Sequence, residues 1–133
     1  MKAIWNMLFT LCLVFVTAQA FPADAARVVE FHTQKIGEVV HWMPEKISVK
    51  PGEKIKFIVK HELEGGFDFH GFSIRELDVV KQVNRNIAME FEKVIPKDLK
   101  AKEIKVTCHF HPKHMAAAVI LVEDAQSAPA AKK

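Results

Sequence analysis

The sequence predicts an all-β domain built as an antiparallel β-sandwich. Short apolar, β-branched runs of strand length recur along the chain. Turn residues punctuate them, notably Pro51-Gly52 and Gly65-Gly66. No long stretch repeats its apolar residues every 3.6 positions, as an amphipathic helix would. Many short strands at this spacing point to two packed sheets.

Taken in chain order, residues 1–20 read as an export signal. Lys2 supplies a positive start, and residues 4–16 form an apolar run broken only by Asn6 and Thr10. Ala18-Gln19-Ala20 then offers a small-x-small cleavage site before Phe21. The run is short for a membrane span. The expectation is therefore a periplasmic protein with no stable membrane insertion after cleavage; an uncleaved anchor is the rival reading. Cleavage leaves 113 of the 133 residues, enough for one domain with a single core. That domain is expected over residues 21–124. Residues 125–133, rich in Ala, Pro and Lys, read as a disordered tail.

Strands are predicted over residues 27–32, 38–42, 46–50, 54–61, 69–74, 79–83, 88–94, 103–108 and 118–123. In the fourth, Ile55, Phe57 and Val59 share one face and Lys54, Lys56 and Lys60 the other. In the seventh, Met89 and Phe91 are expected to face the core. One helical turn is expected within residues 95–101. Trp42 and the phenylalanines supply the bulky inward groups a small sandwich needs.

The formal charge of +3 falls to +2 without the leader, and no basic cluster accompanies it, so nucleic acid is not an expected partner. The lysines of residues 54–60 read as a solvated face, with attraction of an acidic redox partner as the alternative. Cys12 leaves with the leader, so Cys108 is the one remaining thiol in an oxidising compartment, and no internal disulfide is possible. An inert buried thiol or an intermolecular bridge would account for it, but its neighbours favour a metal ligand.

Those neighbours are Cys108-His109-Phe110-His111-Pro112-Lys113-His114-Met115. One soft thiolate, imidazole nitrogens and a weak thioether suit copper cycling between two oxidation states better than zinc, calcium or magnesium. A mononuclear redox copper site takes two imidazoles and a thiolate in a plane, capped by a distant thioether. A ligand from a separate strand would stop the geometry from following the metal. His70 lies 38 residues before Cys108 at the start of a predicted strand, well placed for that role.

With these residues in view, the chain resembles the cupredoxins, small blue-copper proteins with a Greek-key β-sandwich. Residues 43–55, MPEKISVKPGEKI, are similar to that family's early pattern of an apolar residue, Pro, a strand, Gly and a second strand. His70 falls where the family places its first histidine ligand. Cys108-x2-His111-x3-Met115 resembles its C-terminal ligand loop, followed by a last apolar strand through Val119 and Val122. The resemblance covers residues 31–124. The loop is most similar to the short amicyanin form with Pro after the histidine, although its spacer of three lies between two in amicyanin and four in plastocyanin and pseudoazurin. The FHGF segment and the Cys-x-x-His-Pro-Lys run also resemble nitrosocyanin, which has glutamate at the position of His70. Dinuclear copper members need two cysteines in the loop and are set aside.

The resemblance implies one copper ion per chain, held by His70, Cys108, His111 and Met115. It implies a monomeric one-electron carrier that meets redox proteins transiently, over an apolar rim around His111 drawn from Phe72, Phe110, Pro112 and Ala116. Two departures leave choices open. Gly71 stands where many members have Asn, so the thiolate's surroundings are undetermined, and His114 rivals Met115 as the axial donor. A copper-binding or tolerance protein that buffers or delivers the metal is the alternative function. A small copper enzyme with an open, nitrosocyanin-like position is a third. His109 is expected to point away from Cys108. His32, His41 and His61 read as ordinary surface or half-buried groups, with a second copper site aided by Glu30, Glu62 or Glu64 as the rival reading.

Overall fold

The computed structural model describes residues 25–123. The expected leader and the expected tail lie outside these residues. Strand alternation decides the architecture. In β4 (Lys54–Lys60), Ile55, Phe57 and Val59 are fully buried while Lys54, Lys56 and Lys60 on the other face reach solvent. β4 lies between β1 (Arg27–Ile36), which it pairs in parallel, and β7 (Met89–Val94), which it pairs antiparallel. β2 (Val39–Met43) folds back on β1 as a hairpin around Gly37, whose φ of 61° suits glycine. A two-residue β9 (Met115–Ala116) closes this first sheet beside β2, giving the order β7-β4-β1-β2-β9.

The second layer contains β3 (Lys46–Val49), β10 (Ala118–Val122) and β8 (Glu103–Val106), in the order β3-β10-β8. The antiparallel pair β5 (Phe69–Ile74) and β6 (Val79–Asn84) extends it through one bridge. There Ser73 N–H donates to the Thr107 carbonyl and Thr107 N–H to the Ser73 carbonyl, both at 2.9 Å. The expected sandwich is present, with mixed ladders: four pairings are antiparallel, while β1–β4, β10–β3 and β2–β9 are parallel. Parallel neighbours arise where the chain crosses between layers before returning.

The core lies between the layers. Phe72 projects from β5 into a nest of first-sheet rings, 5.5 Å from Phe31, 5.2 Å from Trp42 and 6.4 Å from Phe57. Met89 and Phe91 pack half-buried against this core, as their alternation indicates. The lysine face is engaged in cross-strand ion pairs, Lys54–Glu92 at 3.0 Å, Lys56–Glu90 at 2.6 Å and Lys60–Glu30 at 3.0 Å. Such exposed pairs add little stability.

Several boundaries differ from expectation. β1 runs on to Ile36 because the hairpin with β2 prolongs its pairing. The helical turn expected in residues 95–101 is a single reverse turn, with Leu99 N–H donating to the Pro96 carbonyl at 3.3 Å. A 3-10 turn over Arg75–Leu77, ended by Asp78 at φ 50°, joins β5 to β6 instead. β8 stops at Val106, since Thr107 pairs with Ser73 rather than with β10. Phe72→Ala should cost about 3–5 kcal/mol in denaturant unfolding. Val80→Thr, at an exposed β6 position, should change stability by less than about 0.5 kcal/mol.

Candidate metal centre

Two strands deliver the first donors. On β5 the core face carries His70, Phe72 and Ile74, so His70 is buried by the same alternation that buries its neighbours. Ile104, Val106 and Cys108 continue the core face of β8 past its last ladder pair. The Ser73–Thr107 bridge fixes the register between these segments, and extending it antiparallel sets Gly71 opposite His109. At that point Gly71 N–H donates to Cys108 Sγ at 3.2 Å.

The third donor comes from the loop. His111, Pro112, Lys113 and His114 form a β-turn in which His114 N–H donates to the His111 carbonyl at 3.0 Å. Proline at the second position has its φ preset for such a turn. The outcome is one convergent group: a ligand atom from each of His70, Cys108 and His111 lies within 4.8 Å of the others. Among the described residues no other group of three His, Cys, Asp or Glu side chains does this.

The Nδ1 atoms of His70 and His111 are buried without a hydrogen-bond partner. Leaving two imidazole nitrogens unsatisfied beside a buried thiol is costly unless another group completes the site. A cation bound by two imidazoles and a thiolate would do so, and soft or borderline copper and zinc suit that donor set. The residues present therefore fit a metal ion.

Comparison with known proteins gives a consistent answer about architecture. No protein-family model matches the sequence, and no curated protein matches it. Solved structures do. Copper nitrite reductase from Nitrosomonas europaea superposes with a TM-score of 0.62 at 9% identity, over 77% of this chain and 43% of that one. Auracyanin A, a "blue" copper protein from Chloroflexus aurantiacus, gives 0.55 at 11% identity, over 74% of this chain and 100% of that one. The chain has the cupredoxin fold. The metal-binding domain of a Cu(I)-exporting P-type ATPase of Streptococcus pneumoniae D39, determined with Cu(I), gives 0.58 at 10% identity, over 78% and 92% of the two chains. The chain thus spans less than half the length of the nitrite reductase.

Within this cupredoxin fold the remaining candidates separate. Met115 is 8% exposed, starts β9 and belongs to the core, whereas His114 is exposed and outside the convergent group. His114 instead lines a cleft of about 330 Å³ with Val40, His61, Phe67 and His70. His109 is exposed, as expected for a residue following an inward cysteine. Its imidazole covers Gly71: a Cβ there would meet His109 Nδ1 at 2.5 Å and the His109 backbone nitrogen at 2.9 Å. Glycine is therefore required where many cupredoxins have Asn, and its own N–H reaches the thiol.

His61 departs from the surface or half-buried role expected of it. It is 1% exposed, and both ring nitrogens are engaged, Nδ1 with Thr33 Oγ1 at 3.0 Å and Nε2 with the Phe67 carbonyl at 2.9 Å. His41 Nδ1 contacts Glu45 at 2.9 Å, and His32 is exposed. The rim also changes membership. Phe72 is core, with no exposed surface, while Phe110 is 43% exposed and Pro112 is exposed. Phe67, unforeseen from the sequence, is also 43% exposed and stacks on His111, with centroids 3.9 Å apart and planes 14° apart. The one signal for it was an aromatic residue directly after Gly65-Gly66.

Burial, joined by the neighbouring His61, His111 and Arg85, pushes the pKa of His70 down to about 4 from an ordinary 6.5. In the metal-free protein the folded chain then refuses a proton that the unfolded chain accepts. This contribution to stability is present above pH 6.5 and is lost as the pH falls through about 4. Unfolding free energy should drop by roughly 3 kcal/mol across that window, and His70→Leu should flatten the slope in urea titrations at several pH values. Gly71→Ala should cost about 1–3 kcal/mol, because the His109 backbone must shift to admit the methyl group; thermal unfolding measures it.

Proposed function

We propose that this chain is an exported, monomeric copper protein that carries one electron at a time. One ion per chain would be held by His70, Cys108, His111 and Met115. The observation that carries this reading is the convergence of two imidazoles and one thiol within 4.8 Å, with both Nδ1 atoms buried and unpartnered. Copper would supply the one-electron chemistry, cycling between its two oxidation states in a site that keeps a single shape.

The chain's own residues do the holding. His70 is fixed by a core strand and Cys108 by the backbone bridge, while the Gly71 N–H donates to its sulfur. Met115 is favoured over His114 because it is buried where β9 begins, whereas His114 faces solvent. Four donors leave no open position for substrate, which favours a carrier over an enzyme. His111 is the half-buried member of the three, ringed by Phe67, Phe69 and Phe110, so electron exchange with partner proteins is assigned to this face. A small apolar contact with a polar surround suits partners that must part quickly. Residues 1–20 support placement in the periplasm.

A second reading, copper buffering or delivery, draws on the cleft that reaches His70 past His114. The similarity to the Cu(I)-exporting ATPase domain adds to it. Visible and electron paramagnetic resonance spectra of the Cu(II)-loaded protein test both. The carrier predicts one bound equivalent, an intense thiolate charge-transfer band, narrow copper hyperfine splitting and fast, reversible redox cycling. Cys108→Ser should abolish the band, Met115→Leu should shift the reduction potential, and His114→Ala should leave both unchanged. Several weakly coloured equivalents with sluggish redox would favour the handler. A pale spectrum unaltered by Cys108→Ser would sink the thiolate site altogether.

A further inference from the structure

The carrier reading leaves one buried titratable residue without a role. His61 directly follows β4, and both of its ring nitrogens are hydrogen-bonded. The Phe67 carbonyl only accepts, so Nε2 donates to it, while Nδ1 meets the Thr33 hydroxyl, which can donate or accept. The ring is thereby held at both ends, with no nitrogen left for a metal.

What the lock holds is informative. The Phe67 carbonyl also accepts from Arg85 Nη2 at 3.1 Å, and the same nitrogen reaches the Gly65 carbonyl at 3.2 Å. Gly65 and Gly66, at φ 74° and 73°, turn the chain just before Phe67 in a conformation suited to glycine. His61 and Arg85 thus pin this turn from behind, and the Phe67 ring emerges flat against His111. On its other side the His61 ring lies T-shaped to His70, with centroids 4.5 Å apart. One buried side chain therefore touches one proposed ligand and, through one carbonyl, governs the ring stacked on the other.

We infer that His61 is a positioning residue for both histidine donors, setting His70 by ring contact and His111 through the seat it gives Phe67. The inference rests on the reading of His70 and His111 as ligands. Its physical content is preorganisation: each imidazole keeps its orientation when the metal is absent and when its charge changes. Residues beyond the ligands that orient metal-bound histidines commonly alter affinity by about 10–100-fold.

The test has a metal-free arm and a copper arm. In the metal-free protein, nuclear Overhauser contacts between the Phe67 and His111 rings should be strong, and His61→Leu should weaken them. In the copper-loaded protein, His61→Leu and Phe67→Leu should each speed copper release, by about 10-fold or more for His61→Leu. Both should also shift the reduction potential, while Phe67→Tyr, which keeps the stack, should stay at the wild-type values. A folded His61→Leu protein with wild-type ring contacts, release rate and potential overturns the inference. Should His61→Leu fail to fold, Thr33→Val, which removes the hydroxyl bonded to Nδ1, and Phe67→Leu decide. Wild-type release and potential in both would overturn it equally. Absence of a thiolate band in the wild-type protein would instead refute the copper carrier, and the metal-free arm would still decide whether His61 seats Phe67.

Discussion

The meeting of His70 with Cys108 depends on a single pair of backbone hydrogen bonds. Ser73 and Thr107 exchange N–H and carbonyl groups at 2.9 Å and so stitch β5 to the chain leaving β8. No other ladder joins β5 and β6 to the second sheet among the described residues. With this stitch, two segments 38 residues apart share one register, and His70 and Cys108 come to the same end of the core. Local sequence alone gives no reason for these donors to meet. A backbone contact between two unremarkable polar residues supplies it.

The division between what could be read in the sequence and what could not follows from the range of each interaction. Alternation within a strand is local, so the inward faces of β4 and β7 were legible, Ile55, Phe57 and Val59 in one and Met89 and Phe91 in the other. The Cys108–Met115 cluster was legible because several unusual donors crowd a short stretch. Phe67 and His61 were not, because their roles exist only once the Gly65-Gly66 turn has folded back against His111 and Thr33. Phe72 was read as a possible rim residue because it neighbours His70; strand parity sends it into the core instead. The short β9 was missed for a similar reason, since its two residues count as a strand only beside Val40 and His41.

Gly71 shows how one position serves two demands. Its backbone is used for the hydrogen bond to sulfur, while its missing side chain makes room for His109. Where an Asn side chain ties two ligand loops together, this chain obtains the tie by close backbone approach, with an imidazole laid across it. The connection depends on shape more than on side-chain hydrogen bonding, and an added methyl group would force the His109 backbone to move.

The turn from His111 to His114 explains the unusual spacer of three. Its hydrogen bond closes at His114, so the next residue is the first of β9. Side chains alternate between faces from that point, which makes the loop an odd-or-even counter. One residue more or fewer would present His114 or Ala116 to the core in place of Met115. Among relatives of this protein, loop length and the identity of the inward side chain should therefore change together, as a single coupled character rather than two independent ones.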